Sequence, residues 1–276
     1  MGKTAPDPDH GTLDSLTALI CDLRLRDVAR ELPHLLQEAA RQDWGQIELL
    51  WELFKREHVR KADRRFQRNL KASGIPPCYG LDHFDFQIAR KRGLNPQLVR
   101  DLAQCEFLAA RRNLILAGGV GTGKTFLARS LGIEALKRGY RVLAFNTAAL
   151  VDDLYLRRDS FDFGKFYGRI RDVDLLILDD LAYLPYSVEK VEYLFSLVVD
   201  RYELRRGSMI VTSNTDVTRW WTFFPSKAMG MAFSDRILDR SQGIRLEGPS
   251  IRQERTRSET RRRRKKSATA DTGDSG

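Results

Sequence analysis

Residues 118–125 read "GGVGTGKT" and lie between a short apolar run, "NLILA" at 113–117, and a helical pattern, "FLARSLGIEALKRG" at 126–139. A glycine-rich stretch is unfavourable inside a helix or a strand, because glycine loses more conformational freedom on folding than any other residue. This stretch therefore predicts a loop whose backbone is arranged to approach another group closely.

The spacing of this loop identifies that group as a phosphate. Its glycines, lysine and threonine fit G-x-x-x-x-G-K-[ST], with a strand before and a helix after. Without a Cβ, successive backbone N–H groups can curl around phosphate oxygens, and the following helix adds its positive N-terminal end. We expect Lys124 to reach the β- and γ-phosphates of ATP and the Thr125 hydroxyl to ligate Mg²⁺. The predicted ATP-binding residues of the loop are Gly118, Gly119, Val120, Gly121, Thr122, Gly123, Lys124, Thr125 and Phe126.

A second apolar run, "LLILDD" at 175–180, ends in two carboxylates about fifty residues after the loop. Asp179 is the predicted Mg²⁺ partner of Thr125, and Asp180 is predicted to polarise the attacking water. No lid-like segment follows, so the pattern favours hydrolysis of ATP over phosphoryl transfer to a small molecule.

Helical and apolar strand-like segments alternate after residue 113, which is typical of a parallel sheet covered on both faces. The predicted strands are 113–117, 141–145, 174–178, 208–213 and 243–248. The fold class is α/β, a three-layer P-loop sheet preceded by a small helical domain. The expected divisions are a disordered segment at 1–14, a helical N-terminal domain at 15–77, the P-loop domain at 78–252 and a disordered basic tail at 253–276.

The net charge of +10 is concentrated in two places. Residues 55–71 carry eight basic residues against Glu57 and Asp63, and residues 251–276 carry nine basic against four acidic residues. Such local excess predicts a polyanionic partner, and nucleic acid is favoured over membrane because no amphipathic anchor accompanies it.

The first of these basic regions lies in a helical pattern that runs from about residue 16 to 70, in which Trp51, Phe54 and Phe66 recur at helical spacing. Its basic residues form a stripe suited to DNA phosphates, and a solvated helix face is the alternative. The predicted DNA-binding residues are Arg56, Arg60, Lys61, Arg64, Arg65 and Arg68.

The remaining composition is that of a protein of the reducing cytoplasm. Three isolated cysteines and four scattered histidines show neither metal-ligand spacing nor a disulfide framework. No apolar run is long enough for a membrane span, and the N-terminus lacks a signal-peptide core. We therefore expect no membrane association.

At this point the sequence resembles the IstB/DnaC-type branch of the AAA+ ATPases, and within it the IstB-like transposition helper proteins. The segments that carry the resemblance span roughly residues 81–252 and are "LDHFDF", "GGVGTGKTFLARSLGIEALKRGYRV", "LLILDDLAYLP", "IVTSN", "SDRILDRSQGIRLEG" and "PSIR". The helical segment before them also resembles the N-terminal region of the family.

The resemblance implies roles for three further residues. Asn214 matches the sensor that holds the water and reads the γ-phosphate, and Arg236 matches the arginine that a neighbouring subunit inserts at the phosphate. Arg252 matches a second sensor arginine at the nucleotide. From the residues alone, Arg236 could also be an ordinary surface charge paired with Asp235 or Asp239.

Two features depart from the family pattern. Many members carry Asp-Glu where this chain has Asp179 and Asp180, and the shorter side chain predicts a longer water contact or slow turnover. The DnaC-like branch often carries Asp-Asp as well. The segment "RWWTFFP" at 219–225 is unusually aromatic, which predicts either packing or a wedge that faces DNA or a partner.

The resemblance therefore implies an oligomeric, Mg²⁺-dependent ATPase that assembles on duplex DNA and assists a transposase in target selection and strand-transfer stimulation. A DnaC-like loader acting on a replicative helicase is one alternative. A nucleotide-gated DNA-binding scaffold with little hydrolysis is another.

Overall fold

The computed structural model describes residues 12–91, 93–181 and 187–250. The chain divides into two compact units between Arg68 and Asn69, whereas the sequence analysis placed the boundary after residue 77. The expectations for the first eleven residues, for Arg252 and for the basic tail lie outside the described residues.

The first unit is helical, as predicted, but the continuous pattern is divided into three helices: α1 (Leu13–Asp22), α2 (Arg26–Gln42) and α3 (Gln46–Ser73), which continues into the second unit. Arg24 and Asp43 adopt left-handed backbone conformations (φ 59° and 55°) and separate them. The small core of this unit comprises Ile20, Val28, Ala29, Leu32, Leu35 and Leu53.

The face that α3 buries in this unit differs from the predicted aromatic stripe. Trp51 and Phe54 are 69% and 51% exposed, whereas Leu53 and the charged Glu57 are buried. The stripe and the buried face lie side by side on the helix, so helical spacing alone did not distinguish them. The helix ends at Ser73, before Gly74 and the two prolines, which cannot continue it.

The second unit contains a five-stranded sheet and eight helices within the described residues. Its strands are β1 (Asn113–Gly118), β2 (Val142–Asn146), β3 (Leu175–Leu181), β4 (Ser208–Ser213) and β5 (Ser241–Leu246). Its helices are α4 (Phe86–Lys91), α5 (Pro96–Ala103), α6 (Glu106–Ala109), α7 (Lys124–Lys137), α8 (Thr147–Arg157), α9 (Phe163–Arg171), α10 (Val188–Glu203) and α11 (Lys227–Leu238).

The strands pair in the order β2-β3-β4-β1-β5 and all pairs are parallel. The predicted α/β architecture is thus confirmed, and the central strands are buried on both faces. Because parallel strands share one direction, the carboxyl ends of β1, β3 and β4 meet at one edge of the sheet. None of the helices in the described ranges is long and apolar enough to cross a membrane.

Two further features of the second unit are a helix interruption at Cys105 and the packing of the aromatic segment 219–225. Before β1, the helices α5 and α6 are separated by Cys105, whose backbone is left-handed (φ 63°). In the aromatic segment 219–225, Trp220 and Phe224 are buried and therefore serve packing, whereas Trp221 is 38% exposed. The Trp220 indole N–H donates to the Ser213 hydroxyl over 3.1 Å.

Candidate functional site

The glycine-rich loop leaves the carboxyl end of β1 and leads directly into α7. Two of its glycines are required by close approach: a Cβ on Gly118 would lie 2.1 Å from the carbonyl oxygen of Leu246, and one on Gly121 would lie 2.2 Å from the Ser250 hydroxyl. Gly121 also has a left-handed φ of 76°. The loop is fixed internally by the buried Thr122, whose hydroxyl donates to the Gly119 carbonyl over 2.9 Å.

Lys124 is buried at the centre of this loop, only 4% exposed. Its ammonium donates to the carbonyls of Gly118 (2.9 Å) and Gly119 (2.7 Å) and to Asn214 Oδ1 (2.6 Å). All three acceptors are neutral. Burial therefore lowers the pKa of Lys124, although the charges of Asp180 and Asp179 oppose this shift. A buried cation whose hydrogen-bond acceptors in the described chain are all neutral favours an incoming anion.

Asp179 lies beside the loop and is held by hydroxyl groups from two directions. Its Oδ1 accepts from Thr125 Oγ1 (2.9 Å) and from Thr212 Oγ1 (2.6 Å), and its backbone carbonyl accepts from the buried Thr147 hydroxyl (2.9 Å). The structure thus brings the two predicted Mg²⁺ ligands, Thr125 and Asp179, into direct contact.

Asp180 lies in a bulge of β3. The pairing with β4 shifts between Leu178 and Leu181, and Asp180 adopts a left-handed φ of 55°. Its backbone N–H donates to Thr212 Oγ1 over 2.9 Å. This bulge turns Asp180 toward the cavity beside the loop, which it lines together with Lys124 and Asn214.

Arg129, one turn along α7 from Thr125, connects two parts of the site. Its guanidinium lies 3.5 Å from Asp179 Oδ2 and 4.8 Å from the centre of the Tyr79 ring. Arg129, Thr147 and Thr212, which all contact Asp179, were not predicted from the sequence. Arg129 could have been found because it lies four residues after Thr125 and therefore on the same face of α7. Thr147 and Thr212 could have been found because they are polar residues at or near the carboxyl ends of β2 and β4.

A cavity of about 530 Å³ adjoins the loop. Part of its wall comes from the segment before β1, in which no site residue was predicted. Phe126 stacks there against Tyr79 (5.1 Å between ring centres) and Phe84 (5.9 Å). The remaining wall residues from this segment are His83, Asp85, Ile88 and Ala89. A pocket of this size, walled by aromatic rings on one side and by a phosphate loop on the other, suits a nucleotide.

The residues present fit ATP and Mg²⁺. A loop that excludes side chains and surrounds a buried ammonium suits a triphosphate, and the Thr125 hydroxyl with the Asp179 carboxylate supplies the hard oxygen ligands that Mg²⁺ prefers.

Arg236 lies at the opposite edge of the sheet from the loop. It lines a separate cavity at the amino ends of β1, β4 and β5, about 20 Å away given the rise of a six-residue strand. Within the described chain it forms no ion pair with Asp235 or Asp239; its Nη1 donates to the Ala232 carbonyl (2.9 Å). Its guanidinium also packs near Tyr202, at 5.9 Å from the ring centre. Arg236 therefore does not reach the phosphate loop of its own chain.

The basic stripe of α3 is more strongly neutralised than the sequence analysis expected. The expectation that only Glu57 and Asp63 offset it was wrong, because α2 brings further carboxylates. Arg60 pairs with Glu31 (2.7 Å), and Arg64 pairs with the buried Asp27. The ion pairs of these residues also include Arg56 with Glu52 (2.9 Å), Glu38 (3.5 Å) and Glu31 (3.6 Å), Lys61 with Glu57 (3.3 Å), Arg60 with Asp27 (3.8 Å) and Arg64 with Glu57 (3.7 Å).

Arg65 and Arg68 are the exceptions, since neither forms an ion pair with any residue that the structure describes. They line a basic groove of about 370 Å³ on α3 with His58, Lys61, Ala62 and Arg64. His58 was not among the predicted residues. Four of the six predicted DNA-binding residues thus converge on one groove, whereas Arg56 and Arg60 point to the carboxylates of α2.

The sheet order and the loop define a P-loop protein of the AAA+ class. The chain belongs to the family of IstB-like ATP binding proteins, whose profile matches residues 18–260. One relative, named for ATP binding in an insertion sequence of Sinorhizobium fredii, is 32% identical over 92% of this chain and 85% of its own. Another, named for ATP binding in an IS21-like insertion sequence of Bacteroides fragilis, is 34% identical over 83% of this chain and 86% of its own.

Solved structures support the fold. The DnaC helicase loader superimposes with a TM-score of 0.53 and 20% identity over 62% of this chain and 99% of its own. DnaA from Aquifex aeolicus, bound to AMPPCP, gives a TM-score of 0.51 and 21% identity over 67% of this chain and 57% of its own. These likenesses concern the architecture alone.

Proposed function

We propose that this protein is an ATP-dependent, DNA-binding ATPase that assembles on duplex DNA and assists a transposase in target selection and strand transfer. The observation that carries the nucleotide part is the buried Lys124 ammonium, whose hydrogen-bond acceptors within the described residues are all neutral and which lies beside the Thr125–Asp179 pair. Family membership supports the link to transposition. Such a protein would act in the cytoplasm, where ATP and the chromosome are present.

In this proposal each residue of the site has a defined task. Lys124 and the loop N–H groups bind the phosphates, and Asn214, which accepts from Lys124, orients the γ-phosphate and the water. Thr125 and Asp179 would hold Mg²⁺, which neutralises charge on the phosphate oxygens. Asp180 accepts the proton of the attacking water, and Arg252 completes the nucleotide site.

Arg236 acts in trans in this proposal: a second copy inserts it at the γ-phosphate. Its distance from the loop of its own chain supports this assignment. Guanidinium suits the role because its planar set of donors matches phosphate oxygens.

The proposed duplex contact uses the groove of α3, and above all Arg65 and Arg68, whose charges no carboxylate of the described chain neutralises. Such contacts bind the phosphates of the DNA backbone and therefore give no sequence preference. The helicase-loader alternative rests on likeness of fold and on the Asp179–Asp180 pair, and we do not favour it.

Three measurements test this function. Calorimetry with Mg-ATP should show binding, electron microscopy with ATP and long duplex DNA should show assemblies without any helicase, and DNA should stimulate phosphate release. Lys124→Ala is the control for all three. Binding and assembly without phosphate release would replace the ATPase by the nucleotide-gated scaffold, which the short Asp180 side chain favours. Absence of nucleotide binding would overturn the proposal.

A further inference from the structure

The edge of the sheet opposite the phosphate loop carries a second concentration of positive charge. Three helix-to-strand turns, α6 to β1, α10 to β4 and α11 to β5, meet there and enclose a cavity of about 300 Å³. Only two of its lining residues, Glu203 and Asp239, are acidic. We call it the arginine cavity, after the six arginines that line it: Arg111, Arg201, Arg205, Arg206, Arg236 and Arg240.

Three of these arginines occupy backbone positions that favour glycine. Arg111, Arg205 and Arg240 have left-handed φ values of 51°, 49° and 57°, and each is the second residue after the end of its helix. Glycine is the usual residue at this position because it has no Cβ to strain. An arginine gains from the negative end of a helix, but this gain is no larger than the cost of its left-handed backbone. Capping alone therefore does not explain three arginines around one cavity.

The charge of the cavity is only partly neutralised. Arg206 lies 3.7 Å from Asp172, and Arg240 lies 3.9 Å from Asp239. Arg111 and Arg205 form no ion pair within the ranges that the structure describes. The cavity therefore offers at least two guanidinium groups whose donors are free for a ligand.

The inner wall adds a buried charge. Arg201 is 2% exposed, and its Nη atoms donate to four backbone carbonyls, those of Ile170, Arg171, Val173 and Ser208. Its Nε is buried and has no hydrogen-bond partner among the residues that the structure describes, and the same holds for the Nε of Arg236. Burial lowers the pKa of Arg201 to about 10, so the group stays charged at neutral pH.

We propose that the arginine cavity binds a phosphate-bearing anion, and that in the assembled protein this anion is the triphosphate of a nucleotide held by a second copy. Arg111 and Arg205 then act beside Arg236 as further phosphate-binding residues. The assignment of this anion to a nucleotide held by a second copy rests on the proposed function. A concave site of this size suits a discrete phosphate group better than the continuous backbone of a duplex.

The first experiment tests the anion site by itself. The variant Arg111→Gly/Arg205→Gly removes both side chains where glycine fits the backbone, so its melting temperature should be unchanged or higher. Both this variant and its parent carry Lys124→Ala to weaken the phosphate loop, and tripolyphosphate is titrated into each by calorimetry. We expect at least tenfold weaker binding in the glycine variant. Arg112→Gln is the matched control, because Arg112 is adjacent and exposed but lies outside the cavity lining. Equal affinity for the glycine variant and its parent would overturn the proposal.

The second experiment tests whether the anion comes from a second copy. The Arg111→Gly/Arg205→Gly chain with an intact loop is titrated with a fluorescent ATP analogue, alone and with an excess of Lys124→Ala chains. The added chains bind nucleotide poorly but present intact arginine cavities, so we expect the affinity to increase about fivefold. Lys124→Ala chains that also carry both glycine substitutions should give no increase.

An unchanged affinity would overturn the second-copy assignment. Duplex DNA that displaced tripolyphosphate would then identify nucleic acid as the source. Failure of the proposed function is distinguishable, because it would show as absence of nucleotide binding by the unaltered chain, whereas the tripolyphosphate experiment does not depend on the phosphate loop.

Discussion

The phosphate loop and the α2–α3 helix pair both place charged side chains out of solvent, but they treat the charge in opposite ways. At the loop, the oxygens of the described chain that accept from Lys124 are all neutral, and burial lowers the pKa of Lys124. Between α2 and α3, the buried Asp27 and Glu57 meet basic partners within the same unit. A buried charge with neutral hydrogen-bond partners is available to a ligand, whereas a buried charge with an opposite partner is already compensated within the fold, and removing one member of the pair destabilises it.

The largest expected effect concerns the phosphate loop and tests whether the buried charge of Lys124 serves a ligand. Lys124→Ala should weaken nucleotide binding by about two orders of magnitude, because charge-assisted hydrogen bonds to the phosphates are lost. The free energy of unfolding should stay the same or rise slightly, since a desolvated ammonium is removed. Calorimetry and urea unfolding measure the two quantities, and a large loss of stability would show that Lys124 is structural.

The second prediction concerns the helix pair. Glu57 accepts from the N–H of Val28 near the start of α2 (3.0 Å) and pairs with Lys61 and Arg64. Glu57→Gln should lower the stability of the first unit by about 2 kcal/mol, the lower range for a buried pair because its partners are half exposed. Asp63→Asn is the matched control on the same helix, since Asp63 is exposed. Equal unfolding curves for the two variants would contradict a structural role for Glu57.

A smaller effect should follow the pairing of Arg60 with Glu31. The Arg60 guanidinium holds the pKa of the Glu31 carboxyl below its ordinary value of 4.5. The stabilisation is therefore present above pH 4.5 and is lost as pH falls through the lowered pKa. Arg60→Gln should reduce stability by under about 1 kcal/mol at pH 7, and the difference should vanish in acid. A difference that persisted below that pKa would argue against this ion pair.

The smallest predicted change separates the arginines of the groove from those of the helix pair. Arg68→Gln should leave the melting temperature unchanged, weaken duplex binding a few-fold and reduce the salt slope of binding by about 1. Arg60→Gln is its comparison on the same helix and should shift stability while it leaves the salt slope nearly unchanged. If both variants changed the salt slope of DNA binding equally, Arg60 would also contact DNA, and its ion pair with Glu31 of α2 would have to break when DNA binds. This result would contradict the distinction between the two groups of arginines.

Much of the second unit could be predicted because its signals are local. Strand, loop and helix follow one another around residue 118, and Lys124, Thr125 and Asp179 meet because parallel strands end at one edge. Thr212 and Arg129 were not predicted. The role of Thr212 depends on the pairing of β4 with β3, and the role of Arg129 depends on its packing against Tyr79. Neither neighbour is encoded in the spacing of the motif.

The arginines of α3 and of the arginine cavity likewise show that sequence spacing does not predict contacts between different elements of the fold. Along α3, the i, i+4 spacing correctly predicted that Arg56, Arg60 and Arg64 share a face, but not that α2 would line it with carboxylates. At the far edge of the sheet, Arg111, Arg205 and Arg240 are separated by more than thirty residues along the chain. Their convergence becomes visible only once three helix ends meet.

The sequence by itself determined the P-loop, the acidic end of β3, the α/β class and the family, because each depends on residues that are close along the chain. Only the tertiary structure decided which charges are neutralised and which remain available to a ligand. The physical reason is that the electrostatic state of a side chain depends on its neighbours within a few ångströms, and most of those neighbours come from other elements of the fold.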